Sequence, residues 1–212
     1  MKILHVSCSP RGQASESHRL ARKIIELLQR GEPAAVLVNR VVGGGSLPHV
    51  DENYATALGA ARASPAETTC VGSIARSEAL IQELESADVV VIGMPMHNFT
   101  VPSALKSWID HVVRVRRTFD VGREGKVGKL RDRPVFVAVS SGGIFSGDRA
   151  RQPDFLTPYL KAILTIIGLH DVTFFSVEGT ALGPDALAEA RARTDRALQR
   201  HFGPVLHRRG AP

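Results

Sequence analysis

The chain has 212 residues, 43% hydrophobic and 23% charged, with a net charge of +6. That suits one compact α/β domain with a sizeable core, and no apolar run approaches the ~20 residues of a membrane span. Two cysteines, Cys8 and Cys70, are too few for a disulfide framework and form no CxxC. The N-terminal apolar stretch is too short for an export signal, so reduced thiols, the cytoplasm and no membrane partner are expected.

The first element is "KILHVS" (2–7), a short strand ending in Ser, Cys, Ser and Pro. From Ser17 the period changes: Leu20, Ile24, Leu27 and Leu28 share a helical face, and Gly31 can end that helix. "AAVLVN" (34–39) reads as a second strand, and residues 40–60, rich in glycine, as a long loop. Ile74, Leu80, Ile81 and Leu84 predict a helix over 73–86. "DVVVIGM" (88–94) is apolar on both faces, as a central parallel strand is. Val101, Ala104, Leu105, Trp108, Ile109, Val112 and Val113 then make an amphipathic stripe, which predicts a helix over 101–117 with Pro102 in its first turn. Trp108 on that stripe either faces the sheet or anchors an interface between two copies. "PVFVAVSS" (134–141) is the fourth strand, residues 153–169 a helix, "DVTFFSV" (171–177) the fifth strand, and 183–201 the last helix, before a frayed tail.

Strands and helices alternate throughout, which predicts a parallel sheet with helices on both faces. Such sheets bind ligands beyond the carboxyl ends of their strands. Three loops stand there. "SCSPRGQASES" (7–17) offers Ser7, Ser9, Ser15 and Ser17 before a helix N-terminus, which suits a phosphate; ordinary capping by Ser15 or Ser17 is the alternative. "PMHNF" (95–99) brings an imidazole at His97, an amide at Asn98 and an apolar plate at Phe99. "SSGGIF" (140–145) has adjacent glycines that permit positive φ and close approach to a flat ligand. Together the loops suit a ligand with a phosphate tail and a flat polar ring, the shape of flavin mononucleotide (FMN).

Competing motifs fail. In "GREGKVGKL" five residues separate Gly122 from Gly128, where a P-loop has four, and Leu130 replaces Ser or Thr. No GxGxxG follows the first strand, no GxSxG or HExxH occurs, and the eight histidines show no metal-ligand spacing. The densest basic region, 114–133, carries acids and glycines without regular aromatics, so it reads as solvated surface rather than a nucleic-acid site. Cys8 reads as a small strand-end residue, with a reactive thiol as the alternative.

At the three loops the sequence resembles the FMN-dependent NADH-azoreductases, also known as NADH:quinone oxidoreductases. The resemblance runs through "SCSPRGQASES", "PMHNFTVPSALKSWIDHVVR" followed by "TF", "SSGG", "LTPYL" with "IIGLHDV", and "VEGTALGP". These pieces keep the family's order and spacing over nearly the whole chain. The resemblance implies a single three-layer flavodoxin-like domain over 1–212, a five-stranded parallel sheet, a homodimer and non-covalent FMN. It also implies ping-pong, two-electron reduction of quinones and azo compounds by NADH or NADPH. By match, Ser9, Ser15, Glu16 and Ser17 would hold the FMN phosphate; Met96, His97, Asn98 and Phe99 would line the isoalloxazine; Ser140, Ser141, Gly142 and Gly143 would border its pyrimidine edge. Phe119 and His97 would line the substrate space. The sequence departs from the family at His97, where tyrosine is usual, at Ser141, where arginine can occur, and at Phe145, where histidine often follows. A flavodoxin-type electron carrier, an NADPH-dependent FMN reductase and a flavin-free anion-binding module are the rival readings.

Overall fold

A computed structural model describes residues 1–59 and 72–209 of the chain, so Cys70 lies outside the described residues. Five parallel strands form one sheet: β1 (Lys2–Ser7), β2 (Val36–Val41), β3 (Val89–Pro95), β6 (Val135–Ser141) and β7 (Val172–Glu178), in spatial order β2-β1-β3-β6-β7. Two short antiparallel strands, β4 (Phe119–Gly122) and β5 (Gly125–Gly128), make a separate hairpin. The helices are α1 (Glu16–Gly31), α2 (Glu52–Gly59), α3 (Ser73–Ser86), α4 (Ser103–Val112), α5 (Leu156–Ile166) and α6 (Pro184–Arg209).

Each strand alternates its side chains between two cores, because successive residues point to opposite faces. Leu4, Val6, Val90, Ile92, Val137 and Val139 face α3, α4 and α5, meeting Leu84, Leu105, Trp108 and Leu160. Ile3, Val91, Phe136, Ala138 and Val177 face α1 and α6, meeting Leu20, Ile24, Ile25, Leu198 and Phe202. Three layers result, with strands buried on both faces, as the continuous apolar runs of β3 and β6 require. Trp108 is only 1% exposed and packs on the sheet, so the stripe of α4 is a core face.

Four expectations need correction. The helix over 101–117 runs only from Ser103 to Val112, with Pro102 as its N-cap residue, because Thr118 takes over at the other end. Its hydroxyl donates to the Val112 carbonyl at 2.7 Å and accepts from the Arg114 N–H at 2.9 Å, and Arg116 turns into the left-handed region. The stretch 40–60 is not all loop: Asp51 accepts from the Tyr54 N–H at 2.9 Å and starts α2. Residues 119–128, given no element in the sequence pattern, form the β4–β5 hairpin. The last helix continues to Arg209 rather than fraying after His201.

One buried polar residue sits between sheet and α1. His5 on β1 is 1% exposed; its Nδ1 lies 3.0 Å from the Asn39 amide oxygen, and its Nε2 has no partner. Burial depresses its pKa below the ordinary 6.5, against the raising effect of Asn39, with His18 and Arg22 adding positive charge nearby. The unfolded chain therefore binds this proton more readily than the folded one. Stability is accordingly expected to be full above pH 6.5 and to fall as pH drops through 6.5 towards the lower folded value. Melting temperatures from pH 7 to pH 5 check this, on the scale of about 1.4 kcal/mol per unit of displacement. His5→Gln is to flatten that slope; an unchanged slope would assign the acid loss elsewhere.

Candidate active site

The topology brings the three loops to one edge. β1 leads to β2 on one side and has β3 on the other, so its carboxyl end lies at the switch point of the sheet. Backbone bonds carry the pairing past the strands: Cys8 N–H to the Gly93 carbonyl at 2.8 Å, and Met96 N–H to the Ser140 carbonyl at 2.7 Å. An open cleft of about 380 Å³ lies between them, lined by Ser9, Pro10, Arg11, Ala14, Ser15 and Glu16 from the first loop. Pro95, Met96 and His97 line it from the second, Ser140 and Gly142 from the third, and Thr180 and Leu187 from beyond β7.

Within the first loop the serines have different tasks. Ser9 Oγ accepts from the Arg11 N–H at 3.2 Å. Ser15 is the N-cap of α1: its Oγ accepts from the His18 N–H at 3.2 Å and donates to the Gly12 carbonyl at 2.9 Å. Ser17 is fully buried, 3.4 Å from the Ser15 hydroxyl, and is not part of the cleft lining. Glu16 lines the cleft, but its carboxylate is held by Arg191 and by Arg19, the former above all keeping it well below the usual carboxylate range. Its charge is thereby offset beside the cleft.

The second loop is a two-residue turn. His97 and Thr100 exchange both backbone hydrogen bonds at 3.0 Å, and the two residues between them, Asn98 (φ 48) and Phe99 (φ 68), are left-handed. Such turns ordinarily take Asn-Gly; a phenylalanine at positive φ is a strained choice. All three residues 97–99 are exposed, and of them only His97 lines the cleft. The Phe99 carbonyl accepts from the Phe155 N–H at 3.1 Å, tying the turn to the start of α5.

The third loop corrects another expectation. Gly142 and Gly143 are not at positive φ. A side chain at Gly143 would collide with Gln152, whose Cδ would lie 2.9 Å from its Cβ. The Gln152 amide nitrogen donates to the Ser141 hydroxyl at 3.0 Å and lies 3.2 Å from the Met96 sulfur, clamping loops two and three together. Ser141 and Gly143 are outside the cleft lining. The loop is anchored from β7: buried Glu178 accepts from the Phe145 N–H at 2.8 Å, the Ser146 N–H at 3.0 Å and the hydroxyls of Ser146 and Ser176 at 2.6 and 2.7 Å. Gly143 and Ser141 carbonyls accept from Gly179 and Thr180, each at 3.0 Å.

Arg11, Gln152, Glu178 and Thr180 are therefore the residues that loop-by-loop reading misses. Arg11 was legible as a cation inside the serine loop; the other three reach the site only through long-range contacts. Phe119 is buried in the hairpin under the Lys126 ammonium, 5.3 Å from its ring centre, and does not line the cleft of its own chain. Cys8 is fully buried and burial pushes its thiol pKa up, which fits a packing residue rather than a reactive thiol. Among the described residues no cluster of metal-ligating side chains occurs, and no helix is long and apolar enough to cross a membrane.

A family model described as a flavodoxin-like fold matches residues 1–202. The chain is 46% identical over 206 residues to "FMN-dependent NADH:quinone oxidoreductase 4" of Pseudomonas fluorescens, covering 96% of this chain and 98% of the relative. It is 48% identical over 191 residues to "FMN-dependent NADH:quinone oxidoreductase 5" of Burkholderia lata, covering 90% and 91%. The solved FMN complex of an FMN-dependent NADH-azoreductase from Bacillus anthracis superposes with a TM-score of 0.76 at 26% identity, covering 95% of this chain and all of that one. Strand order, switch-point cleft and relatives agree: the chain belongs to the family of FMN-dependent NADH:quinone oxidoreductases, on the flavodoxin-like fold.

Proposed function

We propose that the chain is one FMN-binding domain whose cleft holds the cofactor non-covalently, for two-electron reduction of quinones and azo compounds by NADH or NADPH. The observation that carries this is the convergence of three loops on one cleft with two chemically different ends. At one end, Ser9, Arg11 and the N-terminus of α1 offer hydroxyl, cationic and backbone donors, which fit a phosphate. At the other, Met96, His97, Ser140 and Gly142 offer a wall without Lys, Arg, Asp or Glu, which fits the isoalloxazine ring. Bound FMN supplies the hydride chemistry; the residues orient it and its substrates. Asn98 and Phe99 would edge the ring from the strained turn, and Ser141 and Gly143 would act through the backbone of loop three. Ser15 and Ser17 would set the shape of the phosphate end, as cap and buried neighbour, and Glu16 would balance charge there.

Nicotinamide and acceptor would occupy the same open face in turn, with His97 as its wall. The exposed apolar side chains of Phe99, Phe155, Val121 and Val127 (43%, 61%, 69% and 59% exposed) favour pairing of two copies. Phe119 would reach substrate only from a second copy. This reading places the protein in the cytoplasm, where reduced nicotinamide is at hand.

The purified protein is expected to be yellow and to run at twice the chain mass. Initial rates at several fixed quinone concentrations should give parallel double-reciprocal lines. Intersecting lines would exclude one shared site. No steady-state NADH oxidation would indicate an electron carrier, and release of free reduced flavin would indicate an FMN reductase.

A further inference from the structure

A separate open cavity of about 510 Å³ lies at the edge of the sheet, where β1, the edge strand β2 and α1 meet. It shares no lining residue with the cleft. Gly12 and Gln13 line it, while their neighbours Arg11 and Ala14 line the cleft, so one turn of chain separates the two spaces.

The remaining walls are rich in donors. His5 comes from β1, Asn39 from β2, and His18 and Arg22 from successive turns of α1, and no Asp or Glu is among the described residues that line the cavity. The Arg22 guanidinium meets Glu26 at 3.9 Å, and both side chains are half-exposed. A pair so long and so open contributes little, which leaves the guanidinium able to turn to a ligand. The two imidazoles stand 5.7 Å apart between ring centres, and His5 Nε2 and His18 Nδ1 are buried without a hydrogen-bond partner. Buried polar nitrogens are ordinarily paired, so these rings have hydrogen-bonding capacity that the fold does not use. Burial above all holds both rings below the ordinary 6.5, and the positive charge of Arg22 adds to it. An anion would offset that charge.

We propose that this cavity is a second anion site, distinct from the cleft, which takes a phosphate group, free or at the head of a small monoester. The two oxygens of a carboxylate would be satisfied by Arg22 alone, whereas donors arriving from a helix, a loop and two strands suit a group with oxygens on every side. The site goes beyond the cofactor reading and does not depend on it. Occupied, it braces the first loop from behind. The Gly12 N–H donates to the Ser9 carbonyl at 3.1 Å, and the Gly12 carbonyl accepts from the Ser15 hydroxyl at 2.9 Å, so the turn against the ion is tied to two residues of the cleft.

The test is thermal melting of the protein saturated with FMN, at fixed ionic strength, with inorganic phosphate replacing chloride. A ligand that binds the folded state raises the midpoint by mass action, and the wild-type midpoint is expected to rise. Arg22→Gln keeps a good helix former at a half-exposed position. It is expected to need about tenfold or more phosphate for the same rise, because a hydrogen bond to a charged group is lost. Arg22→Lys, which keeps the charge, is expected to fall between the two. Arg30→Gln removes a charge from the other end of α1, outside the cavity, and Arg11→Gln removes one from the cleft; both are expected to stay within about twofold of wild type in phosphate. Glycerol 3-phosphate, run beside inorganic phosphate, tells the two sources apart by which acts at the lower concentration. No rise in wild type, or equal rises in Arg22→Gln and wild type, would overturn the site. A rise that Arg11→Gln abolishes and Arg22→Gln keeps would overturn it too, by placing the phosphate in the cleft. A protein that takes up no FMN would overturn the cofactor reading, and the contrast of Arg22 with Arg11 would still decide this site.

Discussion

Glu178→Ala is expected to lower the stability of the flavin-free chain by about 3 kcal/mol and its melting temperature by about 6–12 °C. The carboxylate takes four hydrogen bonds, two from backbone N–H groups of Phe145 and Ser146 and two from hydroxyls of Ser146 and Ser176. Bonds to a charged acceptor each contribute about 1.5–3 kcal/mol, but the parts do not add, and water can reach the exposed Ser146. FMN affinity is expected to fall as well, because the same anchor fixes the loop that carries Gly142. Glu178→Gln keeps one acceptor oxygen and should fall between alanine and wild type. Thermal melts with and without FMN, and a fluorescence titration of the flavin-free chain, check this. A midpoint within about 2 °C of wild type for the alanine variant would show that the loop stands without its anchor.

The second large effect is expected at Gly43, for a steric reason. A methyl there would lie 2.7 Å from the Ser9 carbonyl carbon and 3.1 Å from that of Cys8, and both are backbone. The first loop cannot retreat easily. The Cys8 N–H is bonded to Gly93, the Ser7 carbonyl to Val42 and the Ser9 carbonyl to the Gly12 N–H at 3.1 Å. Overpacking of this kind costs about 1–3 kcal/mol, and here the strain falls on the loop proposed to hold the FMN phosphate. Gly43→Ala is thus expected to weaken FMN binding about tenfold or more. Gly44→Ala is the control: Gly44 has φ 72, so alanine is strained there, yet nothing lies within 4 Å of its Cβ. It should lose stability with little loss of FMN affinity. If both variants bind FMN like wild type, the first loop does not hold the cofactor.

The strands were legible because a parallel sheet covered on both faces demands apolar runs, and β1, β3, β6 and β7 have them. β2 was placed two residues early. It is an edge strand with Asn39 and Arg40 inside it, and its end is set by register with Ser7 rather than by its own pattern. The hairpin over 119–128 escaped because strands of four residues with glycine and charge carry no period. The α2 helix escaped because its eight residues bury only Tyr54 and so carry no apolar stripe. At the site, the three loops were read, Arg11 within the first of them was passed over, and the topology brought the loops together. The left-handed Phe99 was not legible, since no local rule puts phenylalanine there. Nor were Gln152 and Glu178, whose partners lie 11 to 56 residues away in most of their contacts.

The burial of Cys8 has a chemical consequence. Quinones are electrophiles that add to thiolates, so a protein that handles them is exposed to arylation by its own substrates. Cys8 lines a cavity that adjoins the three-loop cleft, yet it is fully buried, and its thiol keeps its proton because a charged sulfur there would lack solvation. Its Sγ–H points to the Val6 carbonyl at 3.7 Å, back into the strand. Since the thiolate is the nucleophile, a cysteine held in this form is spent as packing and withheld from reaction. The apolar surroundings of Cys8 thereby shield this thiol from covalent attack on quinones.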